Sequence, residues 1–116
     1  MSASTSETSA GWRPVQPREV MLEAATRAHP REACGVIIDG AAYEVPNVAA
    51  DPLHHYAMDL RVLQDLIEEH GYPEATWHSH PRGSTEPSVN DVDCQPPGLR
   101  LLLIANGEVH DHGCPT

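Results

Sequence analysis

Hydrophobic residues recur along the chain with two periods, one typical of helices and one typical of strands. The helical period is clearest over residues 17–29 and 60–70. Asp59 is a suitable N-cap for the second of these segments, and Gly71 is a suitable end. The pattern therefore predicts two amphipathic helices, and the segment 88–94 predicts a third, short one.

Short apolar runs between the helical segments predict strands. They lie at residues 33–38, 41–45, 54–58, 74–80, 99–105 and 108–112. Two-residue turn signals, Asp39-Gly40 and Asn106-Gly107, join the first pair and the last pair into hairpins. This order of elements predicts an α/β fold, with one mixed sheet and helices packed against it.

A chain of 116 residues is long enough for one domain with one hydrophobic core. Residues 1–12 are polar and rich in Ser and Thr, without the basic start and apolar stretch of a secretory signal. We therefore expect a flexible tail at 1–12 and a folded domain over 13–116. No apolar run approaches the length of a membrane span, so we expect a cytoplasmic protein without a membrane partner.

The net charge is −10, and all the basic residues are arginines. Because so acidic a chain lacks the basic surface that phosphate backbones require, the composition argues against nucleic-acid binding. The three cysteines form no C-x-x-C pair, which argues against a disulfide framework and against a cysteine zinc finger. Cys34 lies in an apolar run, and we expect it to be a buried small hydrophobe.

The candidate chemistry lies in one segment, H-S-H-P followed by Ser88 and Asp91. Side chains two apart on a strand share a face, so His78 and His80 can reach one ion together. Ser88 and Asp91 are one helical turn apart, and the loop 81–87 can fold that turn back over the histidines. Two imidazoles and a carboxylate suit Zn²⁺, and three protein ligands leave a fourth position for water, as in catalytic zinc sites.

Each part of this pattern also has a plainer interpretation. Ser-x-x-Asp is an ordinary helix-capping pattern, with Ser88 as the N-cap, although a capping serine can still face a metal. A single His-x-His is a weak signal in a chain with 8 histidines, whereas the joint pattern is rare by chance. A second His-x-His, at His110 and His112 with Cys114 nearby, has no suitably spaced carboxylate, so we expect no second metal site there.

The segment H-S-H-P-x6-S-x2-D resembles the signature of the JAMM metallopeptidases, also called the MPN+ domain. That signature includes an upstream glutamate before a short apolar strand, and Glu32 in P-R-E-A-C-G-V-I-I fits this position. The resemblance covers roughly residues 15–112. It implies a three-layer αβα fold, similar to that of the cytidine deaminases, with a central mixed sheet and flanking helices.

The resemblance also implies a role for each signature residue. It makes His78, His80 and Asp91 the ligands of one zinc ion. It makes Glu32 the general acid/base that serves the zinc-bound water, and Ser88 the hydroxyl that steadies the oxyanion. From chemistry alone the choice of glutamate stays open among Glu32, Glu44, Glu74 and Glu86.

JAMM proteins hydrolyse peptide or isopeptide bonds, often after the Gly-Gly end of a ubiquitin-like protein. The resemblance therefore implies a protein or peptide substrate, such as a ubiquitin-like or sulfur-carrier protein. The segment E-P-S-V-N-D is closer to the phage tail-assembly members, so a phage peptidase is an alternative. A non-catalytic MPN scaffold is another. A zinc deaminase is disfavoured because its P-C-x-x-C motif is absent. The sequence leaves the oligomeric state open.

Overall fold

The computed structural model describes residues 16–115, so the predicted tail at 1–12 lies outside the described residues. Within this range the elements follow in the order α1 (Pro17–Ala28), β1 (Cys34–Ile38), β2 (Ala41–Val45), α2 (Leu60–His70), β3 (Ala75–Ser79), α3 (Val89–Asp93), β4 (Arg100–Ala105) and β5 (Glu108–Asp111). None of the helices in this range has the length and apolar character needed to cross a membrane.

The five strands form one sheet in the order β2-β1-β3-β4-β5. Only β3 and β4 are parallel, and the segment between them contains α3; the other neighbours are antiparallel. Both predicted hairpins form, and each turn holds its two residues at positive φ, the requirement of the tight turn that Asp-Gly and Asn-Gly favour. The predicted α/β class with a mixed sheet and flanking helices is confirmed.

The core lies between α1 and one face of the sheet. Met21 and Ala24 of α1 are buried against a cluster that includes Ile37, Trp77 and Ile104. Gly35 on β1 leaves room for the indole of Trp77, since a Cβ there would lie 2.4 Å from one of its ring carbons. With no side chain at this position, β1 and β3 share one tightly packed face under α1.

The opposite face of the sheet is covered less completely by α2. This helix begins at its predicted N-cap, because the Asp59 carboxylate accepts hydrogen bonds from the N–H groups of Arg61 and Val62. No residue of α2 is buried, however, and Leu60 is 76% exposed. The apolar side chains of α2 therefore line an open groove, although the helix forms where it was predicted.

The predicted strand at 54–58 is wrong. This segment is a turn followed by extended chain, and it makes a single bridge between Asn47 and Met58. Only the end of the segment pairs with the chain that follows β2, where the Val48 N–H donates to the Ala57 carbonyl and the Asp59 N–H donates to the Pro46 carbonyl. The rest of its backbone is held by other hydrogen bonds, including several from side chains that are described below.

Candidate metal centre

Three side-chain donors converge at the end of β3. Nε2 of His78 and Nε2 of His80 are 3.2 Å apart, and Oδ2 of Asp91 lies 3.1 Å from the first and 3.0 Å from the second. Donors bound tetrahedrally at about 2.0–2.1 Å from a zinc ion would be about 3.3 Å apart. The triangle therefore has the dimensions of one face of a zinc coordination shell.

Each histidine directs its Nε2 into this triangle. His80 follows β3, and its Nδ1 donates a hydrogen bond to the Ser84 carbonyl at 3.1 Å, so Nε2 carries the lone pair in the neutral ring. His78 is fully buried, and its Nδ1 has no hydrogen-bond partner among the described residues. The Tyr56 ring stacks on His78, with 4.4 Å between centroids and 22° between planes.

Asp91 is held by the N-terminus of α3. Its carboxylate Oδ2 accepts a hydrogen bond from the Ser88 N–H at 2.9 Å, and its own N–H donates to Ser88 Oγ at 3.0 Å. This capping box confirms Ser88 as the N-cap of α3. Because the same carboxylate oxygen also faces both histidines, the helix cap and the donor triangle are parts of one arrangement.

Glu32 lies beside the triangle, immediately before β1. One donor atom each from Glu32, His78 and His80 lie within 4.8 Å of one another, so these three form a second group that could hold a metal ion. Glu32 is 6% exposed, and its Oε1 has no hydrogen-bond partner among the described residues. The structure thus brings together Glu32, the two histidines and Asp91.

The pKa values in this cluster follow from burial and from the close pairs. Burial raises the pKa of Glu32 to about 7, although His80 opposes the rise. Burial lowers the pKa of His78, whereas the hydrogen bond to Asp91 raises that of His80. Burial alone would raise the pKa of Asp91, but hydrogen bonds from both histidines hold it well below its usual range. At neutral pH the buried Asp91 carboxylate is therefore negative and needs a cation or a proton beside it.

Two depressions in the surface meet at Asp91. One is a polar cleft that also contains Glu32, His80 and Ser88. The other is an apolar groove of about 380 Å³ between α2 and the sheet, lined by residues such as Leu63. Asp91 therefore borders a polar cleft on one side and an apolar groove on the other.

The loop 81–87, which joins the histidines to α3, is fixed by three consecutive carbonyl groups. The Gly83 carbonyl accepts from Asn106 Nδ2 at 3.1 Å, and the Ser84 carbonyl accepts from His80. The Thr85 carbonyl accepts from Nε2 of His112 at 2.9 Å. The loop is thus anchored to β3, to the last hairpin turn and to the chain that follows β5.

Of the second histidine pair, His112 has a partner elsewhere, whereas the buried Nε2 of His110 has no hydrogen-bond partner among the described residues and lies 3.9 Å from the Glu108 carboxylate. His112 bonds the loop, as described, and Asp111 forms an ion pair with Arg100 in which the nitrogen and oxygen are 2.6 Å apart. Cys114 is exposed, and its thiol contacts the Gly98 carbonyl. In residues 16–115 these side chains form no group of three metal donors.

Sequence reasoning missed two residues of the site, Tyr56 and Asn47. An aromatic ring has no spacing rule that links it to a histidine on another element, so no local signal could have predicted the stack on His78. The Asn47 amide makes four hydrogen bonds to backbone groups around the site.

The chain is similar to a known family and to a solved structure. The family model that describes prokaryotic homologs of the JAB domain matches residues 14–113. The solution structure of protein DSY2949 from Desulfitobacterium hafniense is similar to this chain, with a TM-score of 0.62 and 28% sequence identity. That similarity covers 82% of this chain and 76% of the other. A comparison with curated proteins gave no match.

Proposed function

The chain belongs to the prokaryotic homologs of the JAB domain, and from this membership and its donor cluster we propose that it is a zinc-dependent hydrolase of peptide or isopeptide bonds. The observation that carries the proposal is the triangle formed by His78, His80 and Asp91, with edges of 3.0–3.2 Å and the buried Glu32 beside it. We assign the triangle as the zinc ligands and Glu32 as the acid/base, because Asp91 is in direct contact with both histidines.

Zinc bound there would lower the pKa of its water to about 7 and polarise the scissile carbonyl. Glu32 takes the proton of the attacking water at its carboxylate and returns it to the leaving nitrogen. Burial raises the pKa of Glu32 to about 7 in the metal-free site, and this opposes the lowering that a zinc ion beside the carboxylate would cause. Its unpartnered Oε1 is free for this exchange.

For Ser88 we propose the oxyanion role. Its Oγ accepts from the Asp91 N–H, which leaves the hydroxyl hydrogen free to donate into the polar cleft. Donors that stabilise an oxyanion contribute about 3–4 kcal/mol in other hydrolases. We therefore expect Ser88→Ala to lower kcat by about 100-fold or more while zinc stays bound.

For the substrate we propose the Gly-Gly end of a ubiquitin-like or sulfur-carrier protein. The cleft lined by Glu32, His80 and Asp91 gives such a chain end a path to the donors, and glycines allow the backbone close to them. A phage tail-assembly substrate is the alternative, supported by the segment E-P-S-V-N-D at the start of α3. Both substrates require the same hydrolysis, so the site itself does not separate them.

The decisive experiment combines zinc analysis with cleavage of a Gly-Gly-linked fusion protein. We expect about one zinc per chain in the wild type and in Glu32→Gln, because the substitution removes the proton carrier and spares the ligands. Cleavage should fall by at least about 100-fold in Glu32→Gln. Asp91→Ala should lose the metal as well, because it removes a ligand and leaves two imidazoles without a carboxylate.

A non-catalytic scaffold would give a different result. It would purify without stoichiometric zinc, and the two variants would not differ from the wild type in any cleavage assay. Zinc binding without cleavage of the fusion, together with tail-protein cleavage, would favour the phage alternative. Normal cleavage by Glu32→Gln would contradict the role assigned to Glu32.

A further inference from the structure

The segment between β2 and α2 holds two groups of the site although it contains no regular strand. Tyr56 in this segment stacks on His78, and the Pro52 carbonyl accepts a hydrogen bond from the Glu32 N–H at 2.8 Å. Its two ends are paired by one short antiparallel bridge, in which the Val48 N–H donates to the Ala57 carbonyl and the Asp59 N–H to the Pro46 carbonyl. A segment without a longer ladder needs other contacts to keep one conformation. The question is which contacts fix it.

Among side chains, the amide of Asn47 makes the largest set of these contacts. Its Nδ2 donates to the Glu32 carbonyl at 2.9 Å and to the His55 carbonyl at 3.0 Å. Its Oδ1 accepts from the N–H groups of Ala49 and Ala57, each at 3.0 Å. An asparagine amide has two donor hydrogens and two acceptor lone pairs, so all four are used.

The partners of Asn47 are the backbone groups on either side of Tyr56, together with the backbone of Glu32. The His55 carbonyl and the Ala57 N–H belong to the residues before and after Tyr56, so the amide fixes the direction in which that ring leaves the chain. The bond to the Glu32 carbonyl fixes the start of β1. One side chain thus sets the distance between Tyr56 and Glu32.

The stack matters because the two histidines are oriented differently. His80 is oriented by the hydrogen bond from Nδ1 to Ser84, the usual arrangement for a metal-binding histidine. His78 has no such bond among the described residues, and the face of Tyr56 takes its place. The orientation of His78 therefore depends on the segment that Asn47 holds.

We infer that Asn47 is a positioning residue, which sets Glu32 and, through Tyr56, His78 in the geometry that catalysis requires. The expected effect on kcat rests on the proposed function. The expected effect on the orientation of His78 rests on the hydrogen bonds and the ring stack alone. The Ser79 hydroxyl also holds the backbone next to Glu32, because it accepts a hydrogen bond from the Ala33 N–H, but this bond does not involve the segment around Tyr56.

The test compares the wild type with Asn47→Asp and Gln95→Ala. Asn47→Asp keeps the two accepted hydrogen bonds and loses the two donated ones. Gln95→Ala is the matched control, since Gln95 is a buried amide that bonds Thr76, Leu99 and Arg100, away from Glu32 and Tyr56. Tyr56→Leu serves as the reference for a missing stack.

Three quantities are measured: kcat and KM on the Gly-Gly fusion, zinc affinity by chelator competition, and the NMR shifts of the His78 ring protons without zinc. For Asn47→Asp we expect kcat and zinc affinity to fall by about 10–100-fold, with KM changed by less than about 2-fold. The His78 signals should move towards their positions in Tyr56→Leu. In Gln95→Ala the thermal midpoint should fall, while kcat and the His78 signals stay.

Unchanged kcat and unchanged His78 signals in Asn47→Asp would overturn the inference. The inference would also be overturned if Gln95→Ala changed kcat and the His78 signals as much as Asn47→Asp does at the same loss of stability. An Asn47→Asp protein that does not fold would overturn it too, because both results would give Asn47 only a structural role. If the wild type cleaves nothing but the His78 signals move as expected, the proposed function fails and the positioning by Asn47 stands.

Discussion

Glu32 is an acid whose environment favours its neutral form. It is buried, one of its oxygens has no partner among the described residues, and burial raises its pKa from 4.5 to about 7. In the unfolded chain the same carboxyl ionises at the lower value. As pH rises from 4.5 to 7, the unfolded state therefore loses its proton first, and the folded state is destabilised relative to it.

The pH dependence of stability tests this at a single residue. We expect the metal-free wild type to be less stable than Glu32→Gln above pH 7 by about 3 kcal/mol, and the difference to disappear below about pH 4.5. Urea unfolding of both proteins between pH 4 and 8 measures it, with Glu86→Gln at an exposed glutamate as the control. A difference that does not change with pH would contradict the assigned burial.

Ser79, between the two histidines, gives a second prediction at this scale. Its Oγ accepts a hydrogen bond from the Ala33 N–H at 2.8 Å and takes no part in the triangle. Ser79→Ala would leave that buried N–H without a partner, which costs about 1–3 kcal/mol. It would also release the peptide group next to Glu32, so we expect kcat to fall as well.

Denaturant unfolding and cleavage of the Gly-Gly fusion check both effects of Ser79→Ala. Thr26→Ala is the control, because it removes an exposed hydroxyl on α1 that bonds the Leu22 carbonyl. Equal stability of Ser79→Ala and Thr26→Ala would show that the bond to Ala33 contributes nothing.

At the scale of elements, the contact of β1 with its neighbours depends on Gly35. A Cβ at this position would lie 2.1 Å from the Tyr43 carbonyl oxygen on β2 and 2.4 Å from the Trp77 ring on β3. Both strands would have to move. We expect Gly35→Ala to destabilise the protein by about 3 kcal/mol or more, at the upper end of the range for overpacking.

Gly40 provides the comparison for this prediction. It has a φ of +80° in the first hairpin turn, and a Cβ there would meet no atom within 4 Å. Gly40→Ala should therefore cost only the left-handed backbone penalty of about 1–2 kcal/mol. Thermal unfolding of both variants gives the order, and a smaller loss in Gly35→Ala than in Gly40→Ala would contradict the packing described for β1.

The elements that local sequence signals specify were predicted correctly. The two hairpins follow from Asp-Gly and Asn-Gly, and α2 follows from Asp59 and its apolar spacing. The segment 54–58 was wrong because its alternation says nothing about whether a partner strand lies beside it. The exposure of α2 was missed for the same reason, since an apolar stripe does not reveal how closely the next layer approaches.

At the scale of the whole molecule, the donor cluster joins parts of the chain that lie far apart in sequence. The histidines and Asp91 were predicted because they lie within one motif, and their convergence follows from strand and helix spacing. The place of Glu32 was predicted only through the family resemblance, which the family match confirms. Tyr56 and Asn47 were missed because contacts between residues far apart in the chain leave no periodic pattern in the sequence.

Zinc should therefore stabilise the fold as a whole. At a free zinc concentration about 100 times the dissociation constant, binding to the folded state adds about 2.7 kcal/mol, which raises the melting temperature of a domain of this size by about 10 °C or more. Chelation should reverse the rise. Asp91→Ala, measured in parallel, should melt at one temperature with and without zinc, and an equal rise in that variant would place the metal elsewhere.

The bond from His112 to the Thr85 carbonyl has a practical consequence for work with shortened proteins. A truncation before His112 removes no proposed ligand and no acid or base. It does remove the hydrogen bond that anchors the loop 81–87, which leads into the helix that carries Asp91. Such a protein should fold and still bind the ion less tightly. The truncated protein would then lose turnover because the loop is held less firmly, and this loss could be mistaken for the removal of a catalytic residue.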